Sequence, residues 1–463
     1  MLAVLLAISA DLHETAWFDG VRVGHQRISV VEKDGKRLVS SALDLTFRRY
    51  GETARIRREE GTVEDAGGVV LGTFMRQAGL SLVGTVDGDR LRVRSQPAGR
   101  DRAIMWPGEV LGPLAQMEQF AARKPRPGDK WAFRRWEPTY NAVLTVMVEA
   151  KGREKVKGRE LLRVELVPDS LDGGTRRIHP ARSTWWLDEA FVPVRKQSSL
   201  EGLGTLVLER ADKAAALAPV RGETPDLGKA SFARASRAIV RPYDTSEAMY
   251  RVAVAGEPTE GLFPSDDHQA ASVNKESVLL LVKPARPGKP KEGKAGEEFL
   301  ASNAWIDSDD PKVAAQARRI AGEERSPWRK ALRIERWVHG AMANDSSAEL
   351  ASASKALASR RGDCRHHAFL CAALCRAAGV PSRTAIGFLY VSRGGPRFGF
   401  HMWAEVFIEG RWLGIDSTLG RGGVSAAHVK VTDHSWHKQD SLAPLLPVQR
   451  VVGKVRFDVV EAR

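Results

Sequence analysis

Cys364, His401 and Asp416 are the residues of this 463-residue chain whose types and order suit covalent catalysis. Cys364 sits in Arg361-Gly362-Asp363-Cys364, His401 in Phe400-His401-Met402-Trp403, and Asp416 in Leu413-Gly414-Ile415-Asp416-Ser417. A thiolate attacks a carbonyl carbon, an imidazole takes and returns its proton, and a carboxylate orients that imidazole and stabilises its charged form. The chemistry such a trio supports is acyl transfer through a thioester on Cys364.

Those side chains need elements that hold them together. From Cys364 to Ala378 the stripe Ala368, Cys371, Leu374 and Cys375 has helical spacing, and Gly379 and Pro381 stop it. Cys364 falls in the first turn, where unpaired backbone N–H groups and the helix dipole favour a thiolate. The same N–H groups suit a developing oxyanion. Cys371 and Cys375, mid-helix among apolar neighbours, read as small buried hydrophobes. Residues 383–391 read as a strand, 392–399 as a Gly/Pro-rich loop, and 401–408 with 411–415 as a hairpin around Glu409-Gly410. A two-residue turn sets Ile408 opposite Arg411 and Trp403 opposite Asp416, which makes His401 and Asp416 diagonal neighbours on one face. A slip of one residue would part them.

The rest of the chain divides by pattern. Residues 13–215 are β-rich, with hairpins expected around Asp34-Gly35 and Asp87-Gly88-Asp89 and further strands at 142–149, 161–167 and 204–209. Trp131, Trp136, Trp185 and Trp186 lie among these strands and read as core. Residues 216–282 form a linker and a small extended module with strands at 250–255 and 277–282. The Lys/Pro/Gly stretch 283–296 is the clearest boundary. Beyond it, 297–463 turns helical before the cysteine, with one helix from Pro311 to Gly322 and another opened by Ser326-Pro327-Trp328. The fold class expected is α+β and multidomain: an antiparallel β-rich N-terminal domain, a small middle module, and a C-terminal domain whose nucleophile helix packs on an antiparallel sheet.

Three blocks of the C-terminal domain resemble the transglutaminase-like superfamily, which shares the chain order Cys, His, Asp/Asn with papain-type proteases. They are Arg361-Gly-Asp-Cys-Arg-His-His-Ala368 leading to Arg376-Ala-Ala-Gly-Val-Pro-Ser-Arg383, then Phe398-Gly-Phe-His-Met-Trp-Ala-Glu-Val406, then Gly410-Arg-Trp-Leu-Gly-Ile-Asp-Ser-Thr418. The segment Ala427-His428-Val429-Lys430 resembles the one that closes this fold. The resemblance implies Cys364 as nucleophile, His401 as general base and then acid, and Asp416 as the group that orients it. It implies a peptidase or amidase, with a protein-glutamine transglutaminase using a primary amine acceptor, or a non-catalytic binding protein, as alternatives. His366 stands where relatives often carry an acidic or polar residue, which would make the pocket entrance basic. His367 occupies a position where His is common and is read as structural. Trp403 is read equally as a wall of the acyl pocket and as core.

Composition narrows the partners. The 71 Lys+Arg against 57 Asp+Glu give a net charge of +14, but the excess is spread along the chain, so nucleic acid is not expected; the protein or peptide substrate expected is what the resemblance implies. The three cysteines, Cys364, Cys371 and Cys375, all lie in one segment, so no disulfide framework is expected. His339, His366, His367, His401, His428, His434 and His437 could with Asp416 and Cys364 ligate zinc in principle, but the one H-x-x-H, His434 and His437, lacks a paired Cys motif, and no metal or cofactor is expected. The apolar run Met1–Ala10 is too short to span a bilayer, and 1–12 reads either as a weak export signal or as a buried first strand. No transmembrane segment is expected, and a periplasmic or secreted location is favoured over the cytoplasm.

Overall fold

The computed structural model describes residues 11–66, 68–77, 79–96, 100–172, 177–200, 203–438 and 443–463, and the run Met1–Ala10 lies outside them. The chain forms two units, residues 1–48 with 53–225, and 49–52 with 226–463.

The first unit is built on a 14-stranded sheet. From the edge strand Arg100–Met105 the order runs back through the chain to Leu12–Phe18. That strand pairs with Gly204–Ala211, and the order continues through Pro193–Leu200, Ser183–Leu187, Arg159–Pro168 and Ala142–Val156 to Lys130–Glu137. Both expected hairpins are present. Lys33 pairs with Lys36 around Asp34 and Gly35, whose φ of 53° and 70° suit a tight primed turn. The helix Pro113–Arg123, absent from the sequence reading, closes the core. It buries Leu114, Met117 and Phe120 among Phe133, Val146, Val164 and Trp185. Trp131 packs on Phe120 at 5.5 Å, and Trp185 and Trp186 are buried, so these three serve the core, whereas Trp136 is only half-buried.

The second unit carries the site. Its main sheet orders Ala233–Arg234, Arg397–Ile408, Ser382–Val391 and His428–His434, with Arg411–Ile415 paired to the second of these. The helix Cys364–Ala377 packs on the strands Arg397–Ile408 and Ser382–Val391. The opposite face is covered by a smaller sheet, where Phe457 lies 5.5 Å from Phe388 and 4.1 Å from Phe398, and the Tyr250 hydroxyl donates to Ala426 O at 2.9 Å.

That smaller sheet revises the expected domain boundaries. The strands at Ala248–Val254 and Val278–Val282 exist as expected, but the first pairs with Val455–Ala462 at the end of the chain. The middle module is therefore completed by the last strand and belongs to the second unit. The stretch 283–296 lacks regular structure, as its prolines and glycines require, yet it separates no units. Lys291 N–H donates to Glu409 O at 2.9 Å and the Arg286 guanidinium to Val424 O at 2.8 Å, which fastens it to the main sheet. Both expected helices form, Pro311–Ala321 capped by the Asp310 carboxylate and Pro327–Ala341 by the Ser326 hydroxyl. A third, Ala353–Ser359, also precedes the cysteine, which the sequence reading did not foresee.

Candidate active site

The helix Cys364–Ala377 has Cys364 at its first position. Its N-cap is Asp363, whose carboxylate accepts from Arg365 N–H at 2.9 Å, while the His366 ring turns back to accept from Asp363 N–H at 3.2 Å. Gly362 permits this fold-back, since a Cβ there would lie 2.4 Å from His366 Cγ. His366 is therefore a capping residue. It is 2% exposed and its Nε2–H donates to Glu349 O at 2.8 Å, which corrects the expectation that it makes the pocket entrance basic. His367 is structural, with Nδ1–H donating to Asp363 O at 3.0 Å.

The cysteines part ways as their positions suggest. Cys364 is partly exposed, whereas Cys371 and Cys375 are buried. A hydrogen bond with Cys375, together with burial, pushes the Cys371 thiol well above the ordinary range, so it stays protonated and inert.

His401 and Asp416 meet through the hairpin in the expected register. Ile408 pairs with Arg411 and Ala404 with Ile415, and the turn residues Glu409 and Gly410 have φ of 51° and 79°. His401 Nε2–H donates to Asp416 Oδ2 at 2.8 Å, which leaves Nδ1 for the Cys364 thiol. Burial opposes a charge on the ring, but the Asp416 carboxylate, with a smaller contribution from Cys364, outweighs it and pushes His401 up to about 10. Asp416 is fully buried. Desolvation opposes its charge, yet the His401 and His428 hydrogen bonds hold the carboxyl far below the usual range. Trp403 is 1% exposed and stacks on His401 with centroids 6.2 Å apart. Of its two readings, core packing behind the imidazole is the one the structure realises, and it offers no face to an acyl chain.

Glu335 escaped the sequence reading, and His428 entered it only as part of the closing segment Ala427-His428-Val429-Lys430, with no link to His401. Glu335, on the inner face of the helix Pro327–Ala341, accepts from Asp416 N–H at 3.2 Å and Gly423 N–H at 3.1 Å. A carboxylate between Ile334 and the apolar stripe of that helix was the signal available. His428 places Nε2 at 3.1 Å from Asp416 Oδ2. Among the described residues, His401, Asp416 and His428 form the group best placed to hold a cation, with their ligand-type atoms within 4.8 Å of one another; His434 and His437 do not take this part. In the structure those atoms bond each other.

Cys364 at a helix start, with His401 beside it and Asp416 behind it, is an arrangement that could activate a thiol as a nucleophile. The family profile of the transglutaminase-like superfamily matches residues 314–417, a span that contains all three. No curated protein matches the sequence. Among solved structures, a candidate cysteine protease from Cytophaga hutchinsonii is 17% identical, covering 47% of this chain and 87% of that one, with a TM-score of 0.30. A β-barrel-like protein of a domain of unknown function from Brucella abortus is 10% identical over 44% and 95%, with a TM-score of 0.33. The periplasmic domain of TgpA from Pseudomonas aeruginosa is 16% identical over 38% and 89%, with a TM-score of 0.26. Among the described residues no helix is long and apolar enough to cross a membrane. The profile match and the fold together identify the C-terminal part of this chain as a transglutaminase-like domain.

Proposed function

We propose that this chain is a cysteine-dependent acyl-transfer enzyme that hydrolyses amide bonds of a protein or peptide, as a peptidase or amidase. In this reading the Cys364 thiolate attacks the amide carbonyl and His401, protonated at Nδ1, gives that proton to the leaving nitrogen. The amine departs and a thioester remains on Cys364. Water then attacks the thioester, His401 takes its proton, and release of the acid restores the thiol. Asp416 stays ionised throughout, holding Nε2–H and stabilising the charged ring. The Cys364 N–H, which has no acceptor within its own helix, would donate to the oxyanion. The neighbouring Arg365 N–H is already taken by Asp363.

The observation that supports this reading most strongly is the 2.8 Å bond between His401 and a fully buried Asp416, beside a cysteine at a helix N-terminus. Burial alone would leave the imidazole neutral, so the carboxylate is what makes the ring a usable acid and base.

The test is incubation of wild type and Cys364→Ala with a glutamine-containing protein and a labelled primary amine, read by mass spectrometry. Cleavage or deamidation that depends on Cys364 supports the hydrolase. Incorporation of the amine would make the enzyme a transglutaminase, and identical, unmodified products from both proteins would favour a binding role.

A further inference from the structure

Asp416 serves two imidazoles. His428, the first residue of the strand His428–His434, is 1% exposed and brings Nε2 to 3.1 Å from Asp416 Oδ2, the same oxygen that accepts from His401. The other oxygen, Oδ1, accepts from Thr418 N–H at 2.8 Å. An ionised carboxylate only accepts, so the His428 proton must sit on Nε2. Nδ1 is then an acceptor in the neutral ring, and Ser425 N–H meets it at 3.2 Å. Burial holds the His428 imidazole below its usual range, which suits that neutral form.

The ring has little freedom. The His428 carbonyl accepts from His268 Nε2–H at 2.7 Å, and the imidazole stands edge-on to Trp403 with centroids 5.3 Å apart. Trp403 in turn stacks on His401, so one indole backs both rings.

We propose that His428 is a positioning residue, whose Nε2–H holds the Asp416 carboxylate in the plane that aims Oδ2 at His401. Thr418 alone fixes one oxygen and leaves the carboxylate free to swing about that contact; a second donor on Oδ2 removes the swing. The proposal rests on the acyl-transfer reading, because positioning matters only if His401 works on Cys364. A histidine that merely satisfies its own polar atoms in the core would also be buried and bonded, so the test must read His401 and Cys364 rather than folding.

The experiment compares the pH profile of Cys364 alkylation by iodoacetamide in wild type, His401→Ala, His428→Leu, His428→Asn and His428→Gln, with the His401 ring titrated by NMR. Glutamine keeps an N–H near the place of Nε2, asparagine falls short of Asp416, and leucine has no donor. The leucine and asparagine variants should react roughly tenfold more slowly or worse near neutral pH, the size of a lost hydrogen bond to a buried charge. Their His401 titration should also be displaced, and glutamine should restore both to within about threefold of wild type. Asparagine keeps the test open should leucine not fold. Wild-type rates and an unmoved His401 titration in the leucine or asparagine variant would overturn the proposal, as would glutamine failing alongside them. A wild type no faster than His401→Ala would sink the acyl-transfer reading itself, a result distinct from either.

Discussion

The strand Arg90–Gln96 in the first unit alternates exposed and buried residues along its whole length, whereas Ser382–Val391 in the second is buried at every position but its last. The first packs one face on a core and shows the other to water. The second is covered by the helix Cys364–Ala377 on one side and by the sheet containing Tyr250 and Phe457 on the other. This difference decides what a charged residue means. In the one-sided strand, Arg92 and Arg94 reach into solvent and pair with Asp87 and Asp101, contacts of little consequence. In the two-sided sheet a charged side chain needs a partner inside the protein. Arg383 meets Glu405 at 2.8 Å, Glu405 meets Lys430 at 2.8 Å, and His401 meets Asp416 at 2.8 Å.

The sharpest break of that contrast is Lys430→Met. Lys430 is fully buried, and burial works against the ionised Glu405 until Lys430 and Arg383 pull it down to about 2. Removing the lysine leaves the buried Glu405 carboxylate with Arg383 as its remaining ion-pair partner, so denaturant unfolding should show a loss of about 3–4 kcal/mol, the lower part of the range for a broken buried pair. Lys430→Met with Glu405→Leu should recover part of it, since the buried carboxylate is removed as well and Arg383 keeps Asp433 at 2.7 Å; a double variant weaker than the single one would contradict the pairing.

A smaller effect belongs to Glu335, which burial pushes from 4.5 to about 7 against the opposing backbone hydrogen bonds from Gly423 and Asp416. The folded state prefers the protonated acid, so this group's contribution is complete below pH 4.5 and is lost as pH rises through about 7. Glu335→Gln keeps the accepting oxygen and does not titrate. Its stability relative to wild type should climb across that window by up to about 3 kcal/mol and then level off. Parallel stability curves for the two proteins would show that Glu335 does not carry a buried charge. The smallest effect is expected at Arg94→Ala, on the exposed outer face, where melting temperature should not change measurably.

How much of this was legible in the sequence follows the distance between partners. The Glu409-Gly410 turn is local, and it alone sets the register that brings His401 to Asp416. The helix start at Cys364 is equally local, marked by Asp363 before it and Gly379 after. His366 was misread because its role depends on the absence of a side chain at Gly362, a detail of backbone fold-back rather than of residue type. Glu335 lies 81 residues before the Asp416 amide it accepts from, and no spacing rule connects them. The same holds for Ala248–Val254, whose partner strand Val455–Ala462 is at the far end of the chain, so a Pro/Gly-rich stretch between them looked like a boundary. Two-sided burial has no period, which is why residues 382–391 could be read as a strand but not as one whose polar members matter.

The most direct test is to trap the thioester. Wild type, Cys364→Ala and His401→Ala would be mixed with an activated ester, quenched in acid, and their intact masses and peptide maps compared. A single acyl increment on Cys364 in wild type, labile to hydroxylamine, absent from Cys364→Ala and slow to form in His401→Ala, is the expected result. Acylation of Cys364→Ala to the same extent as wild type, or equal rates with and without the imidazole, would contradict a His401-activated Cys364 nucleophile.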